Sequence, residues 1–414
     1  MQQNSAVPSL RRTTSHPKVR PLATLGLLAG FLLAAAVSWA GEGAFVLGND
    51  ALQLGRASSG IASPRSAYWS YFNPASIVEL DRRMDVNWYT VRTSIELKPR
   101  GIIGNRFGED FESDRFFNIP SGGVILPLET GTLGLGMYTP SGTGAEYGQS
   151  RNLLSRVLNA DRRLYYQHMR LVLAYGYQFE NGWAIGGGLH GSLSRFHSDH
   201  ITLGLLPTAG NFEWDEALGA GFNVGVYKKW DRWAFGAAYS SRHWTQPFDK
   251  YRDLLRFSLD LPQILQAGIA FDLTPRIELT FDLKWNNWEG VRAYANDVLD
   301  GGFNWRDQFC VKAGIEYQLN EKTRLMAGAS HGNSPITEDH VFVAGLVPVI
   351  CEDHVTVGVS RAINEQHEVH AAVIWGPPNT LRDTGRGDIF SILGRNSEIT
   401  SGGLSGVVGY TWKF

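Results

Sequence analysis

From about residue 83 to residue 414 the chain is built of stretches in which apolar and polar side chains alternate one by one. A period of two puts successive residues on opposite faces of a strand, and a helix cannot use such a pattern. Ile277, Leu279, Phe281, Leu283 and Trp285 share one parity, with Glu278, Thr280, Asp282 and Lys284 on the other. Phe309, Val311, Ala313, Ile315, Tyr317 and Leu319 alternate with Cys310, Lys312, Gly314, Glu316 and Gln318. Leu171, Leu173, Tyr175, Tyr177 and Phe179 do the same against Arg170, Val172, Ala174, Gly176 and Gln178. Strands of this length with charges at the centre of the polar face fit either a soluble sandwich or a transmembrane barrel.

The start of the chain narrows the choice. Residues 1–40 carry Arg11, Arg12, Lys18 and Arg20 and no acid, then the apolar run Leu25 to Val37, then Ser38, Trp39 and Ala40. This is the layout of a secretory signal peptide cleaved after Ala40, and the run is shorter than the roughly 20 residues a spanning helix needs. Its removal leaves 34 basic against 40 acidic residues, which excludes a nucleic-acid-binding polycation. An exported chain of 414 residues with two cysteines must hold itself together without a disulfide framework. No later stretch is uncharged for long enough to form a transmembrane helix.

Three features favour the barrel. Trp183, Trp233, Trp285 and Trp375 fall near strand ends on the apolar parity, as an interfacial girdle requires. Short turns near 129–131, 181–182, 229–232, 273–275, 320–322 and 364–366 alternate with longer loops, the asymmetry of an outer-membrane barrel. Tyr410, Trp412 and Phe414 share one parity of the last strand, resembling the terminal signature that barrel-assembly machinery recognises. Six hairpins plus an opening and a closing strand give about 14 antiparallel strands over 83–414, an even number as bacterial barrels demand. The expected fold is therefore an all-β membrane protein.

Residues 41–82 lack the alternation yet are too apolar for a solvated tail, with Phe45, Leu47, Leu52, Leu54, Trp69, Tyr71, Phe72 and Ile77. A segment of this kind can bury itself inside the lumen. Here the sequence resembles the FadL family of outer-membrane transporters for long-chain fatty acids and other hydrophobic compounds. The resemblance rests on Gly55-Arg56-Ala57 with Gly60, on Asn73-Pro74-Ala75, on the plan of strands and turns, on Ser334-Pro335, and on the terminal Phe414. Pro64-Arg65 departs from the family, which often shows an acidic residue in this stretch.

The resemblance implies that residues 41–82 form a hatch, with Phe45 and Leu47 reaching a ligand pocket. It also implies a first capture site on the long loop 141–163, where Leu153, Leu154, Val157 and Leu158 have the spacing of one helix face. The alternative for those four is a helix packed on the rim. Arg151, Arg156, Arg162 and Arg163 beside them suit a carboxylate or lipopolysaccharide phosphates. Sideways release needs a strand that fails to pair, and Pro120, Gly122, Gly123, Gly134, Gly136 and Pro140 are the candidates.

Lumen-parity charges (Glu278, Asp282, Lys284, Lys312, Glu316, Arg324, Glu368 and His370) read as a paired lining that anchors the hatch, with a minority touching a ligand head group. Cys310 and Cys351 fall on strands separated by a third, too far apart to bridge, so free thiols are expected. No metal or cofactor is expected, and a barrel with its own plug has no need of a trimer. His190 and His370 have no obvious nucleophile beside them, which argues against an enzyme. A general porin, a structural barrel, and a channel for aromatic hydrocarbons remain as alternatives to fatty-acid uptake.

Overall fold

A computed structural model describes residues 42–102, 104, 110–148, 163–198, 201–202, 206–207, 213–345 and 347–414. The proposed signal peptide and Leu153, Leu154, Val157 and Leu158 lie outside the described residues.

Among the described residues, fourteen long antiparallel strands close on themselves. In chain order they are β1 (Arg83–Lys98), β2 (Phe111–Pro127), β3 (Thr132–Glu146), β4 (Arg163–Gln178), β5 (Trp183–Ser198), β6 (Asp215–Lys229) and β7 (Trp233–Ser240). There follow β8 (Ile264–Thr274), β9 (Ile277–Asn286), β10 (Gln308–Asn320), β11 (Thr323–Gly332), β12 (Asp353–Ala362), β13 (His367–Arg382) and β14 (Glu398–Lys413). Each pairs with its neighbours in sequence, and β1 also pairs with β14 from Arg83↔Lys413 to Lys98↔Glu398, so the sheet has no free first or last strand. Turns at 128–131, 179–182, 230–232, 275–276, 321–322 and 363–366 lie on one rim, and the longer loops on the other.

Burial follows parity. Leu171, Leu189 and Phe309 are 62%, 68% and 63% exposed, while their chain neighbours Val172, His190 and Cys310 are 3%, 3% and 2%. A barrel that buries charges and histidines inside and displays leucines outside has its apolar face toward lipid. The short-turn rim is then periplasmic and the long-loop rim extracellular. Above the barrel the loops share an apolar core in which Trp288, fully buried, packs edge-on to Tyr294 (4.8 Å) and Trp305 (5.0 Å).

Residues 42–82 lie inside the closed sheet, because their hydrogen bonds reach strands all around it. Ala51 N donates to Asn87 on β1, Ala57 N to Thr356 on β12, Ile61 N to Asp282 on β9, and Asn73 Nδ2 to the Val226 carbonyl on β6. Two single-turn helices, α1 (Ala51–Leu54) and α2 (Trp69–Phe72), give this inner segment its only helical structure besides a 3-10 turn at Ser76–Glu79. Asp50 starts α1 by accepting from Leu52 N and Gln53 N, both at 3.0 Å, which satisfies two otherwise orphaned donors. Burial raises the Asp50 carboxyl above its ordinary range against the pull of those bonds and of Asn87.

Candidate functional site

The lumen holds two tiers of charge that fix the inner segment. In the periplasmic half, Arg56 Nη1 lies 3.1 Å from Glu278 Oε1, and Arg65 Nη2 lies 2.9 Å from Glu278 Oε2. Arg65 also reaches Glu316 at 3.3 Å, and Arg324 links Glu316 to Glu368 at 3.6 and 3.0 Å. Burial works against the Arg65 charge, but Glu278 and Glu316 more than offset it and hold the guanidinium above its ordinary pKa. Ser63 and Ser59 add bonds to Glu278 (2.5 Å) and Thr280 (2.6 Å).

In the extracellular half, the carboxylate of Glu42 is paired with Lys284 (2.6 Å) and Lys312, with all three groups nearly out of water. Burial alone would lift the Glu42 carboxyl, yet the two ammonium groups prevail and hold it below the ordinary carboxylate range. Phe45 follows in the chain and packs 5.2 Å from the Trp288 ring.

Between β2 and β3 the wall is open. Their ladder runs from Pro127↔Thr132 only as far as Gly122↔Met137, although β2 stays paired with β1 up to Phe111 and β3 with β4 up to Glu146. At the top the two strands are rejoined by Glu146 N donating to Ser113 Oγ at 3.0 Å and by Arg115 on Glu146 at 2.7 Å. The edge of β3 left bare is taken by the inner segment. Val46 N donates to the Pro140 carbonyl at 3.0 Å, Gly142 N to the Ala44 carbonyl at 3.3 Å, and Asn49 exchanges two bonds with Thr139 at 2.6 and 3.0 Å. Ser121 on β2 donates to the Asn49 carbonyl at 2.6 Å. Residues 44–49 therefore stand across the window and satisfy backbone groups that β2 leaves unpaired.

A cavity of about 520 Å³ adjoins this window. Phe45, Leu47, Tyr89, Val91, Ile119 and Ile374 line its lumenal part, and Met169 and Leu193, which have the parity of the outer wall, line it as well. One space is thus continuous from the lumen to the lipid-facing side.

Comparison with known proteins decides what this barrel is. Residues 31–387 match the model of the outer membrane protein transport protein family, OMPP1/FadL/TodX. The chain belongs to this family. Among solved structures, the toluene transporter TodX of Pseudomonas putida superposes with a TM-score of 0.68 at 16% identity, covering 91% of this chain and 99% of TodX. A FadL homologue of Pseudomonas aeruginosa gives 0.66 at 14% identity over 90% and 100% of the two chains. The toluene transporter TbuX of Ralstonia pickettii gives 0.64 at 15% over 89% and 99%. No curated protein matches the chain. As an OMPP1/FadL/TodX protein it is an outer-membrane channel for hydrophobic compounds and not an enzyme.

Within this FadL/TodX barrel the residues singled out from sequence divide in two. Phe45 and Leu47 line the cavity. Gly55, Arg56, Ala57 and Gly60 form the turn after α1, where Ala57 and Ser58 take left-handed φ values of 52° and 60° and Gly60 takes 100°. Two consecutive non-glycine residues there store about 1–3 kcal/mol of strain each, held by the bond from Ala57 N to Thr356 and by Ser58 N on the Gln53 carbonyl. Asn73 donates to the Ile61 and Val226 carbonyls and accepts from Ala75 N, so Asn73-Pro74-Ala75 fastens the segment to β6. Tyr410 hydroxyl bonds His367 at 2.7 Å, and the Trp412 and Phe414 rings lie 4.9 Å apart on the periplasmic rim. Cys310 and Cys351 are not joined to each other by a disulfide.

The glycine cluster needs correction. Gly123, Gly134 and Gly136 are paired in the β2–β3 ladder and do not open it. Their missing side chains make room for the inner segment and Tyr138: a Cβ on Gly134 would lie 2.3 Å from Ser70 Oγ, one on Gly123 2.4 Å from the Tyr138 hydroxyl, and one on Gly136 2.3 Å from the same hydroxyl. The window begins at Gly122, the last paired residue, and its edges carry Pro120 on β2 and Pro140 in a β3 bulge between Tyr138 and Ser141. Sequence reading also missed a buried polar cluster. Arg170 donates to His168 at 2.9 Å and stacks over Tyr71, while His243 bonds Ser192 at 2.7 Å. Inner parity of His168, Arg170 and Ser192 was the available signal; His243 lies beyond a strand end and gave none.

Proposed function

We propose that the protein takes up long-chain fatty acids, with residues 42–82 acting as a hatch, residues 44–49 as the gate of the β2–β3 window, and that window as a lateral exit into the membrane. The observation that carries this reading is the cavity that runs from the lumen, past Phe45 and Leu47, to the outer wall. A cavity of about 150 Å³ already holds benzene, and this one, at about 520 Å³, is sized for a longer ligand. Burial of each methylene favours entry by about 0.8 kcal/mol, so an acyl chain has ample drive to leave water.

Exit requires residues 44–49 to give up the β3 edge, which exposes the window without breaking any strand pair of the barrel. In this reading Leu153, Leu154, Val157 and Leu158 make the first capture site on the outer loop, near lipopolysaccharide, and Tyr410, Trp412 and Phe414 serve recognition by the assembly machinery. Uptake of monoaromatic hydrocarbons is the second reading, supported by likeness to the toluene transporters TodX and TbuX. The deciding experiment is growth of a deletion strain, with and without this protein, on oleate and on toluene as sole carbon source. Rescue on oleate supports the fatty-acid reading, rescue on toluene alone favours the second, and rescue on neither rejects both.

A further inference from the structure

We propose that Arg242 and Arg292 form a pocket on the outer face of the extracellular rim that holds a phosphate group of lipopolysaccharide, whose acyl chains lie against the barrel wall below. The pocket concerns the lipid around the barrel and is independent of which cargo the channel carries.

The wall beneath the pocket fixes its depth. Tyr239, Leu265, Trp285 and Phe309 are paired one to the next across β7, β8, β9 and β10, so they form a single outward row. Leu265 and Phe309 are exposed on that row, whereas the Tyr239 hydroxyl and the Trp285 indole N–H donate to Gln263 and Asp307, both at 2.9 Å. Aromatic side chains with an apolar body and a hydrogen-bonded polar end mark the level where hydrocarbon gives way to head groups.

Arg242 lies three residues beyond Tyr239 and points outward. Its neighbour His243 is wholly buried and bonded to Ser192 within the barrel, and Trp244, next in the alternation, is exposed again. Arg292 comes from the loop after β9, on a single helical turn, Arg292–Ala295, whose Ala293 and Tyr294 are buried in the apolar loop core. The two arginines line one cavity of about 300 Å³ together with Phe257, Ser258 and Ala293.

The charge of this pocket is not balanced. Arg242 reaches Asp260 at 2.7 Å and donates to the Gly290 carbonyl at 3.2 Å, which holds its side chain in place. Asp260 shares its oxygens among Arg242, Thr245 and Ser258. Glu289, the acid nearest Arg292 in sequence, accepts from Asp307 N. Among the described residues Arg292 has no ion-pair partner, so Arg242, Asp260 and Arg292 together leave one positive charge in excess.

Two guanidinium groups with planar sets of donors around one cavity suit an oxyanion that carries several oxygens, which favours phosphate. On the outer face of an outer-membrane barrel, just above the hydrocarbon boundary, the phosphates within reach are those of the lipid A part of lipopolysaccharide. The exposed side chains of Leu265, Leu283 and Phe309 offer its acyl chains an apolar bed directly below.

The test uses the full chain in detergent micelles, with three probes: lipid A bearing both phosphates, the same lipid A with both removed, and inorganic phosphate. Native mass spectrometry over a titration reads the affinities, and heat-modified mobility on gels checks that each variant is a folded barrel. The wild type should bind phosphorylated lipid A at least about tenfold more tightly than the dephosphorylated form. Arg292→Gln, at an exposed position on a helical turn, should lose most of that preference. Arg292→Lys, which keeps the charge without the planar fork, should retain part of it. Arg386→Gln, exposed in the loop between β13 and β14, should bind as the wild type does. Equal affinity for the two lipid A forms, or an undiminished preference in Arg292→Gln, overturns the pocket. An equal loss in Arg386→Gln overturns it in favour of diffuse rim charge. Inorganic phosphate bound as tightly as lipid A overturns the lipid as its occupant.

Discussion

Arg56 Nη1 and Glu278 Oε1 lie 3.1 Å apart inside the barrel, joining the turn after α1 to β9 with the arginine side chain wholly out of water. Removing one partner of a buried pair costs about 3–5 kcal/mol, because the remaining charge is left uncompensated. Glu278→Gln strips both Arg56 and Arg65 of a carboxylate, and Arg65 retains Glu316. The strands are untouched, so the barrel should still form while its inner segment loosens. In planar bilayers this variant should show frequent ion-conducting openings where the wild type is quiet, and deletion of residues 42–82 should leave the channel open throughout. A silent record from both would mean that the inner segment does not block the lumen.

The proposed exit opens only when residues 44–49 leave β3, and they can be tied there. Phe45 and Ser141 face each other in an antiparallel bridge, whose Cα separation of about 4.5–5.5 Å suits a disulfide. Phe45→Cys combined with Ser141→Cys should therefore cross-link on oxidation, and uptake of a radiolabelled fatty acid by cells should fall to the level of the deletion strain and return with reductant. Unchanged uptake by the oxidised form would place the exit elsewhere.

The strand plan was open to sequence reading because two-residue alternation records directly which side chains face lipid, and the short turns read near 181–182, 320–322 and 364–366 fall at the hairpin ends of the structure. What escaped was long-range. Arg65 departs from the family pattern yet pairs with Glu278 and Glu316, more than 200 residues away, and no local spacing announces such contacts. Glycine in a strand has two causes, failed pairing and close approach of another segment. Gly134 has the second, which becomes visible only when Ser70 is seen against it.

Gly328 on β11 offers a direct check of that second cause. A Cβ there would fall 2.4 Å from the Arg56 carbonyl carbon, against backbone that cannot swing aside. Gly328→Val should favour the strand by β-propensity while costing about 1–3 kcal/mol where the inner segment is pressed off the wall. The variant should assemble at normal levels, yet trypsin should cleave after Arg56 or Arg65, both of which are protected in the wild type. Resistance equal to the wild type would show that the wall yields at this point.

Glu42 makes the stability of the extracellular tier depend on pH in a definite direction. Its carboxyl is held below the ordinary 4.5 by Lys284 and Lys312, against the opposing effect of burial. The folded state therefore binds the proton less readily than the unfolded chain does, and the stabilisation from Glu42 is complete above that ordinary value. It is lost as pH falls from there through the lower native value, when the carboxyl protonates and the lysines keep their charge. Glu42→Gln matches the side chain in size but cannot ionise, so the other acidic groups cancel in the comparison. The melting temperature of the wild type, followed by heat-modified mobility on gels after incubation at each pH, should exceed that of Glu42→Gln by a constant margin from pH 7 down to about 5. Below that the margin should shrink steadily. A margin that stayed constant into strong acid, or that widened, would show that Glu42 does not hold its charge between the two lysines.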